Sequence, residues 1–370
     1  MKSNGHPPFS RITIVGVGLI GGSLGLALKR RYGSDVFVVG SDRRVVLRKA
    51  KSRGAIDRVS DSLARAVNHA EVVILAAPPK AIVELLPRVA RLVSSDVIVT
   101  DVGSVKREIV DEARRVFPRN NFIGGHPMAG VENSGIEAAH PLLFENAVYV
   151  LTPLPRTPQE KLERLVRLFS DLGARVVLLD ARTHDEVASA VSHLPQLAAV
   201  ALMNVAGRLH PTSSRHLGLA AGGFRDLTRI ASSSFEIWRH ILPMNAAEIR
   251  KSLSLFVEEL QLYGRQLDRR GLGSLPKKFA EARELRSQIP KSMKGFVAPL
   301  AELYVFVEDK PGMLARLTTA LHEAKINIKD IELMKIREGI GGTFRVSFES
   351  EALASQAENV LQRVGFEVER

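Results

Sequence analysis

One histidine stands among glycines in the run Gly124-Gly125-His126-Pro127-Met128-Ala129-Gly130, where backbone can approach an imidazole closely. The unperturbed pKa of imidazole lies near physiological pH, which suits a base that takes and returns a proton. An isolated histidine is more often core or surface filler, so its neighbours must supply the argument. A second chemical feature is Gly16-Val17-Gly18-Leu19-Ile20-Gly21, which follows the β-branched run Arg11 to Val15 and leads into a helical pattern over Ser23 to Arg30. Strand, glycine turn and helix in one unit suit a dinucleotide. Gly16 permits the tight turn, Gly18 lets a pyrophosphate reach the backbone, and Gly21 allows close helix packing, with the phosphates on the helix N-terminus. A second strand, Val36 to Val39, ends near Asp42, where an acid can bond the ribose hydroxyls of NAD; a plain turn residue is the competing use. Arg43 and Arg44 follow directly, and a guanidinium there could favour the 2′-phosphate of NADP instead. Cysteine is absent, which excludes thiol nucleophiles, disulfides and thiolate metal sites and leaves redox chemistry to a cofactor.

Several elements must position these residues. Strand-like runs recur at Val72 to Ala76, Val97 to Asp101, Val148 to Leu151 and Arg175 to Leu179, with helical patterns between several of them. This alternation predicts an α/β doubly wound sheet, in which ligands lie beyond the carboxyl ends of the strands. Ala77-Pro78-Pro79, Asp101-Val102-Gly103-Ser104 and the Gly124 to Gly130 stretch fall at such ends and should line one crevice. From Thr183 to about Leu267 the pattern becomes all-helical. Within it, Val187 to Ala206 is apolar nearly all round, as suits a helix buried at a subunit or domain interface. Pro195 should kink that helix near Val191 to Ser192 and turn Ser192, His193 and Gln196 toward a ligand. A connector is expected from Gly271 through Pro276 and Pro290 to about Val297. Beyond it, a β-α-β-β-α-β order over about 70 residues reads as a ferredoxin-like α+β unit. The expected division is a dinucleotide-binding domain over 1–181, an all-α substrate and dimerisation domain over 182–285, a linker over 286–299, and a regulatory unit over 300–370.

Composition sets outer limits. A chain of 370 residues, 45% hydrophobic, exceeds what one core usually organises. Ile12 to Leu28 is apolar and flanked by basic residues, but its five glycines argue for a buried strand, turn and helix rather than a signal segment. Ser192, His193, Pro195 and Gln196 interrupt the other long apolar run, so no membrane span and a cytoplasmic protein are expected. The net charge is +12, and nine Lys or Arg against three acids between Arg265 and Lys294 contribute half of it. Phe279 is the one aromatic residue in that basic run, too few for the interleaved stacking surface that nucleic acid requires, so the run reads as a solvated connector and no nucleic acid partner is expected. An acidic small substrate is compatible with the charge.

Taken together, GVGLIGGS at Gly16 to Ser23, DVGSVK at Asp101 to Lys106, GGHPMAG at Gly124 to Gly130, SHLPQ at Ser192 to Gln196, GGFRDLTRIASS at Gly222 to Ser233, and Trp238 resemble the prephenate dehydrogenase family. DKPGML at Asp309 to Leu314 and INIKDIE at Ile326 to Glu332 are similar to the ACT regulatory domain that some members carry. The resemblance covers essentially the whole chain and implies an N-terminal Rossmann-like domain. The family's reaction is NAD-dependent oxidative decarboxylation of prephenate to 4-hydroxyphenylpyruvate in tyrosine biosynthesis. The resemblance makes His126 the base for the ring hydroxyl, and Ser104 its partner beside the nicotinamide; Ser104 could equally cap a helix beginning near Val105. Arg229 matches the arginine that binds the ring carboxylate, with a helical ion pair to Asp226 as the competing use. Ser192, His193 and Trp238 look like substrate-side residues, although His193 could be a satisfied core histidine. Gly16, Gly18, Leu19, Ile20, Gly21, Asp42, Arg43, Pro78 and Ser104 would hold the cofactor, and no metal is implied.

The chain departs from the family where His-Leu-Pro-His is common, carrying Gln196 in place of the second histidine; Phe235 and His240 also replace an expected proline and aspartate. Glutamine cannot become cationic, which opens an alternative in which arogenate is the substrate. Asp309, Pro311, Gly312 and Asn327 are expected to bind a regulatory amino acid, with tyrosine as the implied inhibitor, in a homodimer. Another β-hydroxy acid dehydrogenase would leave GGHPMAG and the C-terminal unit unexplained. A non-catalytic amino-acid sensor would leave His126, Ser104 and Arg229 unexplained.

Overall fold

The computed structural model describes residues 6–129, 134–209, 214–267, 273–289, 300–337 and 340–370. Gly130, the start of the connector at Gly271-Leu272 and its end over 290–299 lie outside them. The chain divides into two compact units, Met1–Phe279 and Ala280–Arg370.

In the first unit, β1 (Arg11–Val15), β2 (Phe37–Ser41), β3 (Arg58–Ser60), β4 (Val72–Leu75), β5 (Ile98–Asp101), β6 (Phe122–Pro127), β7 (Val148–Pro153) and β8 (Arg175–Leu178) form one sheet. Its order is β3-β2-β1-β4-β5-β6-β7-β8. Every neighbouring pair is parallel except β6 with β7. The helices are α1 (Leu19–Tyr32), α2 (Arg44–Ser52), α3 (Leu63–Val67), α4 (Pro79–Ala90), α5 (Arg107–Val116) and α6 (Gln159–Asp171). Because successive strand residues point to opposite faces, Ile12, Ile14 and Ile74 pack under Leu24 and Leu28 of α1 and Leu168 of α6. Val73, Leu75 and Val99 pack on the other face against Ile82 and Leu86 of α4 and Ile109 of α5. Both faces are therefore covered, which accounts for the nearly unbroken apolar strands.

Two strands are not evident from sequence. β3 has only three residues. β6 carries Gly124, Gly125 and Pro127, residue types that argue against a strand, yet it pairs with β5 at Val99↔Phe122 and with β7 from Ile123↔Pro153 to Pro127↔Tyr149. His126 thus sits on a buried strand, not on a loop.

The helical segment comprises α7 (Ala181–Ala188), a π-helical turn over Ser189–His193, α8 (Leu194–Leu209), α9 (Gly222–Thr228), a 3-10 turn over Arg229–Ser232, α10 (Phe235–Met244), α11 (Ala246–Leu267) and α12 (Leu275–Gln288). The widened π turn lies where Pro195 cannot donate to the carbonyl of Val191, so the expected irregularity takes this form. The run Ala181–Arg208 is long and apolar enough to cross a membrane by length and composition, and 17% of its most apolar window is buried. Val191 and Val205, 61% and 53% exposed, leave much of its apolar surface open in the single chain. α7 packs on α5 and β7, and the helices from α7 to α11 lie with the sheet in the first compact unit. The connector expected from Gly271 onward contains α12. Pro276 sits in its first turn, where a missing N–H costs nothing, and Ala, Glu, Arg and Leu carry it on.

The second unit holds β9 (Ala301–Glu308), α13 (Met313–Glu323), β10 (Asp330–Arg337), β11 (Gly341–Phe348), α14 (Glu351–Arg363) and β12 (Glu367–Glu369). Its antiparallel sheet runs β10-β11-β9-β12. Leu303, Val305 and Val307 alternate inward from β9 and meet Leu317 and Leu321 of α13 and Leu361 of α14. This is the ferredoxin-like arrangement expected from the order of elements.

Candidate active site

The crevice opens at the carboxyl ends of β1, β2 and β4. Gly16 turns the chain there with φ of +93°, and a Cβ at that position would lie 2.3 Å from the carbonyl oxygen of Ala76. A Cβ at Gly21 would meet the Gly16 carbonyl. Gly18 faces open space at the start of α1, as a backbone that receives a ligand must. Gly16, Gly18, Asp42, Arg43 and Pro78 line one cavity of about 500 Å³. Leu19 and Ile20 form the first helical residues beside it. Asp42 also ties the turn: its carboxylate accepts the Val17 N–H at 2.9 Å and the Arg43 N–H at 2.6 Å. Four lone-pair sites leave capacity for ribose hydroxyls, so the turn use and the ribose use coexist. The Arg43 side chain is 88% exposed at the rim. These residues fit a dinucleotide.

The loop after β5 and strand β6 build the second part. Lys106 and Asp101 are fully buried and paired, and the Lys106 ammonium also donates to the Gly125 carbonyl at 2.8 Å. Asp101 accepts the N–H of Gly103 at 2.8 Å and of Gly125 at 3.0 Å. Burial lowers the Lys106 pKa, while the Asp101 charge opposes that. A Cβ at Gly125 would lie 2.4 Å from the Asp101 carbonyl oxygen, so only glycine lets β6 come this close. The Lys106–Asp101 brace and the glycines fix the backbone that carries His126.

His126 is 8% exposed. Burial is the largest cause holding its pKa well below the ordinary imidazole value, and His184, Lys106 and His193 push the same way. The ring is a neutral base at physiological pH. Its Nδ1 is 2.7 Å from Nε2 of His184, whose own Nδ1 is 2.8 Å from the Asp185 carboxylate. That carboxylate accepts the backbone N–H of Lys106 at 2.7 Å and of Arg107 at 2.9 Å, at the start of α5. Asp185 therefore caps α5 from 79 residues away, and Ser104, expected to cap a helix near Val105, does not. Among the described residues Ser104 also makes no hydrogen bond to His126. α7 itself is started by Asp180, which accepts the Arg182 and Thr183 N–H groups at 3.0 Å. His184 and Asp185 follow one turn later on the buried side with Ala188 and Ser189. Sequence reasoning passed over both residues, although an aspartate cap followed by that buried stripe was a usable signal.

The helical residues divide. Ser192 is half-buried on the π turn. His193 is 1% exposed, accepts at Nδ1 from the Asn245 amide at 3.2 Å, and meets Trp238 edge-on at 5.9 Å. Burial pulls its pKa down to about 4. Gln196, expected to face a substrate carboxylate, instead donates to the Ile230 carbonyl at 3.0 Å and accepts from the Ser233 hydroxyl at 3.2 Å. Its amide is spent on the turn that carries Arg229, because a buried polar group takes the nearest partners. Arg229 itself is exposed at the head of that turn. In the second unit, Asp309 lines a cavity of about 130 Å³ with Lys310, Met313, Leu333 and Phe344. Pro311 and Gly312 form the adjoining turn, where Gly312 has φ of +87°, and Asn327 does not line the cavity.

Residues 24–178 match the family model "Prephenate dehydrogenase, nucleotide-binding domain", residues 180–281 "Prephenate dehydrogenase, dimerization domain", and residues 301–366 "ACT domain". The chain belongs to the prephenate dehydrogenase family. A prephenate dehydrogenase of Bacillus subtilis (strain 168) is 36% identical over 362 residues, 95% of each chain. One from Lactococcus lactis subsp. cremoris is 35% identical over 360 residues, 95% of this chain and 98% of its own. Among solved structures, prephenate dehydrogenase from A. aeolicus in complex with hydroxyphenyl propionate and NAD+ superimposes with a TM-score of 0.69 at 32% identity. It covers 76% of this chain and 98% of its own. The chain is thus an NAD-dependent oxidoreductase of that family with a C-terminal ACT regulatory domain.

Proposed function

We propose that this protein oxidatively decarboxylates prephenate to 4-hydroxyphenylpyruvate, with His126 as the base. The observation that carries the reading is a buried, neutral imidazole braced on β6 in a family member with an intact dinucleotide crevice. Bound in that crevice, NAD supplies the hydride acceptor. His126 takes the ring hydroxyl proton as the carbinol carbon is oxidised. Loss of carbon dioxide then aromatises the ring, and the same proton returns to the phenolic oxygen, so no net proton is consumed. Arg229 holds the ring carboxylate, since a planar guanidinium pairs bidentately with a carboxylate. Ser104 bonds the hydroxyl beside the nicotinamide, and Asp42 accepts the ribose hydroxyls. Ser192, His193 and Trp238 form the substrate wall, with His193 a neutral donor through its Nε2. The protein works in the cytoplasm as a homodimer paired through the exposed apolar helix, and tyrosine inhibits it through the ACT domain.

A second reading, arogenate as substrate, is favoured by Gln196, which offers the substrate side chain no cation. One assay tests both: purified protein with prephenate or arogenate, each with NAD or NADP, followed by nicotinamide absorbance. The outcome expected is reduction of NAD by prephenate. A rate with arogenate alone makes the second reading the function, and no reduction in any combination sinks both.

A further inference from the structure

Asp185, His184 and His126 form a continuous buried line. Asp185 and His184 are each 2% exposed, and the successive contacts are 2.8 and 2.7 Å. The donors can be assigned from chemistry. Asp185 accepts two backbone N–H groups at the start of α5, one on each carboxylate oxygen, so it serves this line as an acceptor. His184 Nδ1 therefore carries the hydrogen, and in neutral His184 the Nε2 lone pair faces His126. His126 Nδ1 must then be the donor, which leaves the Nε2 lone pair of His126 as the site that takes a proton.

We infer that His184 and Asp185 are positioning residues: with His126 they form a relay that fixes the base's tautomer and shares the charge it acquires. This rests on the reading of His126 as the base. When His126 Nε2 takes the hydroxyl proton, its Nδ1 proton can pass to Nε2 of His184. The positive charge then lies beside the Asp185 carboxylate instead of beside the Lys106 ammonium. As the phenolic oxygen recovers its proton from His126 Nε2, the Nδ1 proton returns from His184, and atoms and charge balance. The other groups facing this line do not supply that compensation. Lys106 is cationic and matched by Asp101, and His193 is neutral and bonded to Asn245. Arg107 lies 3.7 Å from Glu248. An imidazolium formed at His126 without the relay would be buried with no anion beside it among the described residues, which a protein interior strongly disfavours.

The test uses the full chain, with His184→Phe, which keeps ring volume and removes both nitrogens, and His184→Gln, whose amide oxygen can accept from His126 but cannot hold a proton. In His184→Phe, kcat should fall on the order of 10²-fold with the Michaelis constant for prephenate within about threefold. The acid limb of the kcat/KM profile should move to lower pH, because the cationic form of His126 loses its acceptor. His184→Gln should recover roughly tenfold of the lost kcat. Nitrogen-15 NMR of histidine-labelled protein with NAD should show His126 protonated at Nδ1 in the wild type and in His184→Gln, and at Nε2 in His184→Phe. A wild-type His126 protonated at Nε2 overturns the relay, as does a kcat in either variant within threefold of wild type. Loss of kcat with an unmoved acid limb also overturns it, by showing a merely structural effect. If His184→Phe does not fold, the glutamine variant alone decides. A wild-type protein inert toward prephenate sinks the proposed reaction, whereas the tautomer is read without turnover and judges the relay separately.

Discussion

At the scale of single residues, the chemistry asks that His126 be neutral and yet able to accept a proton. Burial accomplishes the first by lowering its pKa well below the usual imidazole value. Protonation of the free enzyme at that site should therefore begin only below the ordinary value of about 6.5. We expect kcat/KM to stay level through neutral pH and to decline below it, and an acid limb centred above 6.5 would exclude His126 as the titrating group. His126→Asn should lower kcat by roughly 10² to 10⁴ while leaving NAD affinity within about threefold. Stopped-flow turnover together with calorimetric titration of NAD would check both halves, and a variant of near-normal turnover would remove His126 from the base role. His126 was legible in the sequence because glycines on one side and a family motif around it mark the position. His184 was not, since its contact with His126 spans 58 residues and depends on where α7 packs.

At the scale of elements, legibility follows the range of the forces involved. The Gly16 turn, the alternating strands of the second unit and the irregularity before Pro195 are set within a few residues, so periodicity and turn chemistry reveal them. Strand β6 breaks the propensity rule because tertiary pairing on both edges outweighs the preferences of Gly124, Gly125 and Pro127. The start of α5 depends on Asp185, and the position of the Arg229 turn on Gln196, two hydrogen-bonded ties that no local pattern encodes. The same reasoning leaves the apolar surface of Ala181–Arg208 without a local explanation, because Val187, Val191, Val200, Leu202 and Val205 are exposed in one copy. A second copy would cover it, burying apolar area at roughly 25 cal/mol per Å². Val191→Glu with Val205→Glu should convert a dimer to monomers in sedimentation at micromolar concentration. Unchanged sedimentation would place the subunit contact elsewhere.

At the scale of the molecule, two compact units share one chain, and only the first holds His126 and the dinucleotide crevice. An ACT unit attached to such an enzyme regulates by binding a ligand with different affinity in two states; tight binding alone shifts nothing. Tyrosine is the ligand proposed here, and the small cavity beside Asp309 and Lys310 is where its amino-acid group would be held. By linkage, if tyrosine weakens prephenate binding by some factor, prephenate must weaken tyrosine binding equally. We expect Asp309→Ala to raise the tyrosine concentration for half inhibition at least about tenfold, with kcat and the Michaelis constant unaltered in its absence, since a lost charge-assisted hydrogen bond is worth about 1.5–3 kcal/mol. Asn327→Ala, outside that cavity, should change inhibition far less. Inhibition curves for the three proteins, with calorimetric tyrosine titrations run with and without prephenate, measure both the site and the coupling. Equal sensitivity in Asp309→Ala and wild type would remove this cavity as the regulatory site. A tyrosine affinity indifferent to prephenate would mean that the two units do not communicate through binding.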